Sequence, residues 1–162
     1  MTDSRADDPP DPARVTVSDE TQTLSGAATR RLRQLAAGAL ADLGVPGDMA
    51  VDILYVDPDA MTALNVEHMG GDGPTDVLAF PLDEPGERAG DVPMVLGDVV
   101  LCGEVAESQA REAGRDPWAE IEMLLVHGLL HLLGYDHQDE DERTEMFSLT
   151  DKLLAARGGH SR

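Results

Sequence analysis

The sequence predicts an α+β domain, a small mixed sheet of about four strands packed with about five helices. Three observations lead there. Short apolar runs of strand length alternate with stretches that repeat every 3.6 residues. Cap and turn residues stand between them at Ser25, Gly44, Asp57-Pro58, Gly114 and Asp116-Pro117. One helical stretch is apolar on nearly every side, so it belongs inside a core shared by the other elements. The 162 residues with 41% hydrophobic content suffice for one such core.

The first strand is short, from Arg14 to Val17. A helix follows from the Ser25 cap to about Leu43, with Leu32, Leu35, Ala36, Ala39, Leu40 and Leu43 on one face and Gly44 as its stop. Met49 to Val56 is an apolar strand. Asp57-Pro58 opens a second helix carrying Met61 and Leu64, with proline in the first turn where its missing donor costs nothing. Val77 to Phe80 and Leu96 to Leu101 are two further strands, joined by a Gly/Pro/acid segment, Leu82 to Pro93, that reads as a long mobile loop. A polar helix runs from Cys102 to Ala113 and ends at Gly114. The next extends from Pro117 through Leu133, and the last covers about Asp139 to Ala156. Residues 1–13, rich in Pro and Asp, and the tail 158–162 read as disordered, leaving 14–157 as the single domain.

Composition narrows the function. One cysteine, Cys102, rules out an intramolecular disulfide and a cysteine-based zinc site, and its place at the end of a strand marks a buried, inert thiol. The N-terminal stretch is polar and lacks the apolar segment of a secretory signal. The longest apolar run, Met123 to Leu133, is too short for a bilayer, so the sequence reads as cytoplasmic with no membrane partner. Net charge is -20, with Lys152 the only lysine. Such a surface is solvated and repels nucleic acid phosphates, which argues against non-specific binding to DNA or bare RNA.

The chemistry lies in the apolar helix and just beyond it, in VHGLLHLLGYDH. His127 and His131 are four residues apart, so their Cβ atoms lie roughly 5–6 Å apart on one helix face. That suits two imidazole nitrogens on one metal ion at about 2.0–2.1 Å. Gly134 can end the helix in the left-handed conformation, letting His137 return as a third ligand. Three imidazoles leave a fourth position for water, the mark of a catalytic site. Zinc suits the set best, with nickel, copper or iron as alternatives. The spacing H-x-x-x-H-x-x-G-x-x-H also matches the metzincin proteases, whose general base is a Glu directly after the first His. Here that residue is Gly128, which disfavours peptide hydrolysis.

At these residues the sequence resembles the YbeY family of single-strand-specific endoribonucleases. The family's signature H-G-x-L-H-L-x-G-Y-D-H is matched by His127 to His137 at every fixed position. Pro74 to Pro81, PTDVLAFP, is similar to its P-T-D-V-L-S-F-P, with Ala79 in place of Ser, and Leu96 to Val100 resembles its G-D-[IV] strand. The resemblance implies that His127, His131 and His137 bind zinc. It implies a substrate of single-stranded RNA, notably the 3′ end of small-subunit ribosomal RNA, and a role at the ribosome or with ribosomal proteins. It also draws attention to Thr75 and Asp76 as residues of the metal cleft, with Asp76 orienting a histidine; the alternative is a strand-start pair making local bonds. In one departure, many members carry an arginine soon after the pair matching Leu64-Asn65. Here His68 and Met69 stand nearby, and no arginine occurs between Asn65 and Arg88. Either another arginine binds phosphate or that binding is weaker. Asp136 is expected to face solvent or cap the last helix, His68 to lie on the surface, and Asp139 to Glu142 to form an acidic first turn. The rival readings are a zinc peptidase and a non-catalytic, zinc-stabilised ribosome-assembly module.

Overall fold

The computed structural model describes residues 14–84, 94–136 and 138–157. The expected disordered segments 1–13 and 158–162 therefore lie outside the described residues. Four strands and five helices follow in the order β1 (Val15–Asp19), α1 (Gly26–Asp42), β2 (Ala50–Val56), α2 (Pro58–Met69), β3 (Val77–Pro81), β4 (Val95–Cys102), α3 (Gly103–Ala113), α4 (Pro117–Leu132) and α5 (Glu140–Ala156). The sheet order is β1-β2-β4-β3. β1, β2 and β4 run parallel, and β3 is antiparallel to β4 at the edge, pairing Val77 with Leu101 and Pro81 with Gly97.

The caps act as the sequence implied. Ser25 accepts from the Ala28 amide, Asp57 from Ala60 and Asp116 from Trp118. Each satisfies an amide that the first helical turn leaves without a backbone partner. Asp136 is not the cap of α5; that role falls to Asp139, three residues before Glu142 and so at capping distance. A second expectation changes at Leu82. The Leu82 and Asp83 amides donate to the Leu96 and Val95 carbonyls, and the Asp83 carboxylate accepts from the Val95 amide. The antiparallel ladder thus continues two residues past β3, because a free edge of amides gains more by pairing with β4 than by facing water. The remainder of the expected loop, 85–93, lies outside the described residues.

The two sheet faces are covered unequally. α1, α4 and α5 bury Leu32, Leu35, Leu40, Leu125, Leu129, Leu130 and Leu154 with Val51, Ile53 and Val99 in the main core. The opposite face carries a small cluster of Met61, Leu78, Val100 and Cys102 under α2. Each fully buried leucine of α4 contributes about 2 kcal/mol from lost apolar surface, so this helix anchors the domain. Its buried acids are neutralised from other elements. Arg115 grips Glu120 with two bonds of 2.8 and 3.0 Å, and Arg31 donates to Glu122 at 2.8 Å. Among the described residues no helix is long and apolar enough to cross a membrane.

Candidate metal centre

His127 and His131 occupy the last two turns of α4, the helix most tightly bound into the core. The His127 ring is half-buried with its Nε2 atom fully covered, and Phe147 of α5 meets it edge-on at 5.0 Å between ring centres. This aromatic contact restrains the imidazole plane. His131, one turn on, is half-buried at a cleft of about 530 Å³ between the helix end and the segment from Pro81 to Glu84.

The helix end is built by Gly134. Its φ is +95°, the Gly134 amide donates to the His131 carbonyl, and the Tyr135 amide reaches back to that of Leu130. This pair of bonds is the Schellman arrangement, which closes the orphan carbonyls and turns the chain sharply. Open space surrounds the position where a Gly134 side chain would lie, so backbone conformation alone selects glycine there. His137, the third expected ligand, lies outside the described residues. Among the described residues no group of three or more His, Cys, Asp or Glu side chains gathers to hold a metal ion. The two described imidazoles do fit one: they are a single helical turn apart on a rigid helix and one of them lines a cleft.

Gly128 faces the sheet. A Cβ there would lie 2.6 Å from Val99 Cγ1 and 3.3 Å from Val77 Cγ2. Its missing side chain therefore lets α4 settle onto β3 and β4, and a glutamate, the protease base, would have no room at that position. Thr75 and Asp76 sit at the start of β3, just before Val77. The Asp76 carboxylate accepts from the Val77 amide at 2.7 Å and from the Thr75 hydroxyl at 3.3 Å, while its carbonyl accepts from the Cys102 amide. These are strand-start bonds that fix the entry of β3. Cys102 is fully buried, and burial pushes its thiol up. His68 is exposed and packs its edge on Phe80.

Sequence reading passed over Phe147, which meets His127, and Arg143, which lines a cleft with it. They stand one helical turn apart on α5 and line a cleft of about 760 Å³ with Asp139, Thr144 and Asp151. The i, i+4 spacing alone could have shown that they share a face, but not that this face turns toward His127.

The family model for endoribonuclease YbeY matches residues 14–158. The chain belongs to the endoribonuclease YbeY family. A protein of that description from Salinispora tropica is 52% identical over 130 residues, covering 75% of this chain and 83% of the relative. Another, from Thermobifida fusca, is 48% identical over 77% of this chain and 83% of its own. A solution structure from Thermotoga maritima superposes with a TM-score of 0.58 at 27% identity, covering 89% of this chain and 91% of that one. The YbeY match spans every element from β1 to α5, so the histidine helix and the sheet it rests on belong to one family unit.

Proposed function

We propose that the protein is a zinc-dependent, single-strand-specific endoribonuclease that acts in the cytoplasm on ribosomal RNA, at the 3′ end of the small-subunit RNA, during ribosome maturation or quality control. The observation that carries this reading is the imidazole pair at the end of a core helix, in a chain of the endoribonuclease YbeY family. His127 and His131 would hold the ion, with His137 as third ligand. An ion so held would supply Lewis-acid chemistry to a phosphoryl oxygen or to water. The chain's own contribution is positional: α4 fixes the imidazole spacing, Phe147 the His127 plane, and Gly134 the return of the chain. Asp76 holds the start of the edge strand against β4, and with Thr75 it would border the site.

Arg143 supplies what the Leu64-Asn65 region lacks. It lines the cleft that contains Phe147, and among the described residues its guanidinium makes no ion pair. A planar cation in the cleft that Phe147, the neighbour of His127, also lines suits a phosphodiester. Arg143→Ala should raise KM for RNA while leaving zinc content unchanged. The net charge of -20 further favours a substrate delivered with cations of its own, such as RNA bound to ribosomal proteins.

Single-stranded RNA should be cut, unfolded casein spared, and the activity lost on chelation. His127→Ala, purified in parallel, controls for contaminating ribonuclease. Equal RNA cleavage by both proteins would remove the nuclease reading. Casein cleavage lost in the variant would favour the peptidase, which the crowding at Gly128 opposes. Unfolding on chelation before activity falls would favour the structural-zinc module.

A further inference from the structure

A second pocket, of about 420 Å³, opens at the opposite end of β4 from the His131 cleft, outside the carboxyl ends of the three parallel strands. In open α/β sheets that is where chains diverge and ligands are accommodated. Its floor is Tyr55. Its rim carries four carboxylates from three separate segments: Glu20 after β1, Asp57 after β2, and Glu104 and Glu107 on α3. No basic side chain lines it among the described residues.

Tyr55 gives the pocket direction. The residue is only 5% exposed, and its hydroxyl has no hydrogen-bond partner among the described residues. Its ring is buried while its oxygen is not among the fully covered polar atoms, so a ligand entering the pocket can reach it. The hydroxyl lies where a Cβ on Gly103 would be, so glycine at the start of α3 leaves the space that the phenol occupies beside the pocket. Burial, with help from Glu107, Asp19, Cys102 and Glu104, pushes the phenol up to about 12. It therefore stays neutral across the physiological range and can accept a hydrogen bond from a cationic N–H.

The carboxylates decide what kind of cation fits. Glu20, Glu104 and Glu107 form no ion pair or side-chain hydrogen bond among the described residues, while Asp57 also caps α2 through one oxygen. The Thr21 hydroxyl is engaged with Asp19 at 2.6 Å and does not compete. These four acids are all described, yet they do not gather as a site able to hold one metal ion. Negative charge spread around a pocket with a single unpartnered hydroxyl on its floor suits a ligand that spreads its positive charge over several centres. We infer that this pocket binds a linear polyamine, one ammonium group on the Tyr55 hydroxyl and the others among the Glu20, Glu104 and Glu107 carboxylates. Such a ligand would also offset part of the negative charge on a protein whose substrate is anionic. The site stands apart from the histidines, and its occupancy does not depend on the reaction proposed there.

The test is calorimetric titration of the full chain with spermidine at fixed ionic strength. Saturable binding of one spermidine per chain is expected. Glu104→Gln/Glu107→Gln should weaken it about tenfold, as two of the facing charges are lost. Tyr55→Phe should weaken it about threefold with the fold intact, since the hydroxyl it removes has no internal partner. A second double variant, Glu67→Gln/Glu145→Gln, removes the same charge at exposed positions outside the pocket and should leave binding unchanged. An equal loss in that control would overturn the inference in favour of diffuse attraction to an acidic protein. Equal affinity for Mg²⁺, or for acetyl-lysine amide with its single ammonium, would overturn the polyamine assignment. So would the absence of saturable binding.

Discussion

The two ends of α4 bury polar groups in opposite ways. At the N-terminal end Glu120 and Glu122 are 3% and 1% exposed, and each is matched by an arginine from another element. Arg115 comes from the turn before the helix, and Arg31 crosses from α1. At the C-terminal end His127 and His131 have an aromatic edge and a cleft beside them. The same apolar helix thus carries two polar pairs, one neutralised inside the fold and one of which a member, His131, lines a cleft. Buried charge with a counter-charge of its own is a structural device, whereas an imidazole that lines a cleft can meet a ligand.

Substitutions at the two ends should therefore separate activity from stability. The largest effect is expected from His131→Ala. Zinc measured on the purified protein should fall from about one per chain to near zero, and RNA cleavage with it, since two remaining ligands hold the ion poorly. Retention of the full complement of zinc would break the contrast, because the histidine would then be as internal as the glutamates. Arg31→Ala should do the reverse. It strands the Glu122 carboxylate in the core and should cost about 3 kcal/mol in denaturant unfolding, while the folded fraction keeps its zinc. A loss below about 0.5 kcal/mol, typical of a surface pair, would show that water reaches Glu122.

Gly128 lies between these ends and sharpens the comparison. Gly128→Ala places a methyl group against the stiff Val99 side chain and should cost about 1–3 kcal/mol. Because α4 must lift from the sheet to accept it, zinc affinity should fall as well. Unchanged affinity, read by competition with a chromogenic chelator, would mean that the histidines do not depend on how the helix is seated.

The smallest effect concerns like charges inside the sheet. Asp52 and Asp98 are register partners on β2 and β4. Burial first, and then the Asp52 charge, raise the Asp98 carboxyl above its ordinary value of 3.8. The folded state therefore holds that proton more readily than the unfolded chain. Its stabilising contribution is complete below the ordinary value and disappears as pH climbs through the raised one. Asp98→Asn should accordingly gain a few tenths of a kcal/mol at pH 7, with the gain shrinking as the pH is lowered. A gain that persists undiminished into acid would assign it to some cause other than charge.

Much of this architecture was legible from local signals. Ser25, Asp57 and Asp116 cap helices with their own side chains, an interaction spanning two or three residues. The strands announced themselves through apolar runs, and the His127–His131 spacing carried its meaning in the helix pitch alone. Asp136 shows the limit of such reading: several acids precede α5, and only the path of the chain decides which one reaches the Glu142 amide. The pairing of Leu82 and Asp83 was hidden for a related reason. Their partners, Leu96 and Val95, are distant in sequence, so the composition of the segment said loop while the sheet edge imposed a ladder.

The elements and the spacing of His127 and His131 along one helix could be read from the sequence, because each rests on interactions within a few residues of the chain. Tertiary structure alone decided that Gly128 faces Val99 and Val77, so that its missing side chain is a packing requirement as well as an absent base. It also decided that Phe147 meets His127, and that Tyr55 lines a pocket with carboxylates from three separate segments. These are contacts between elements far apart in the chain. Their partners are selected by how helices and sheet fit together in space, and no periodicity within one segment encodes which face of another it will meet.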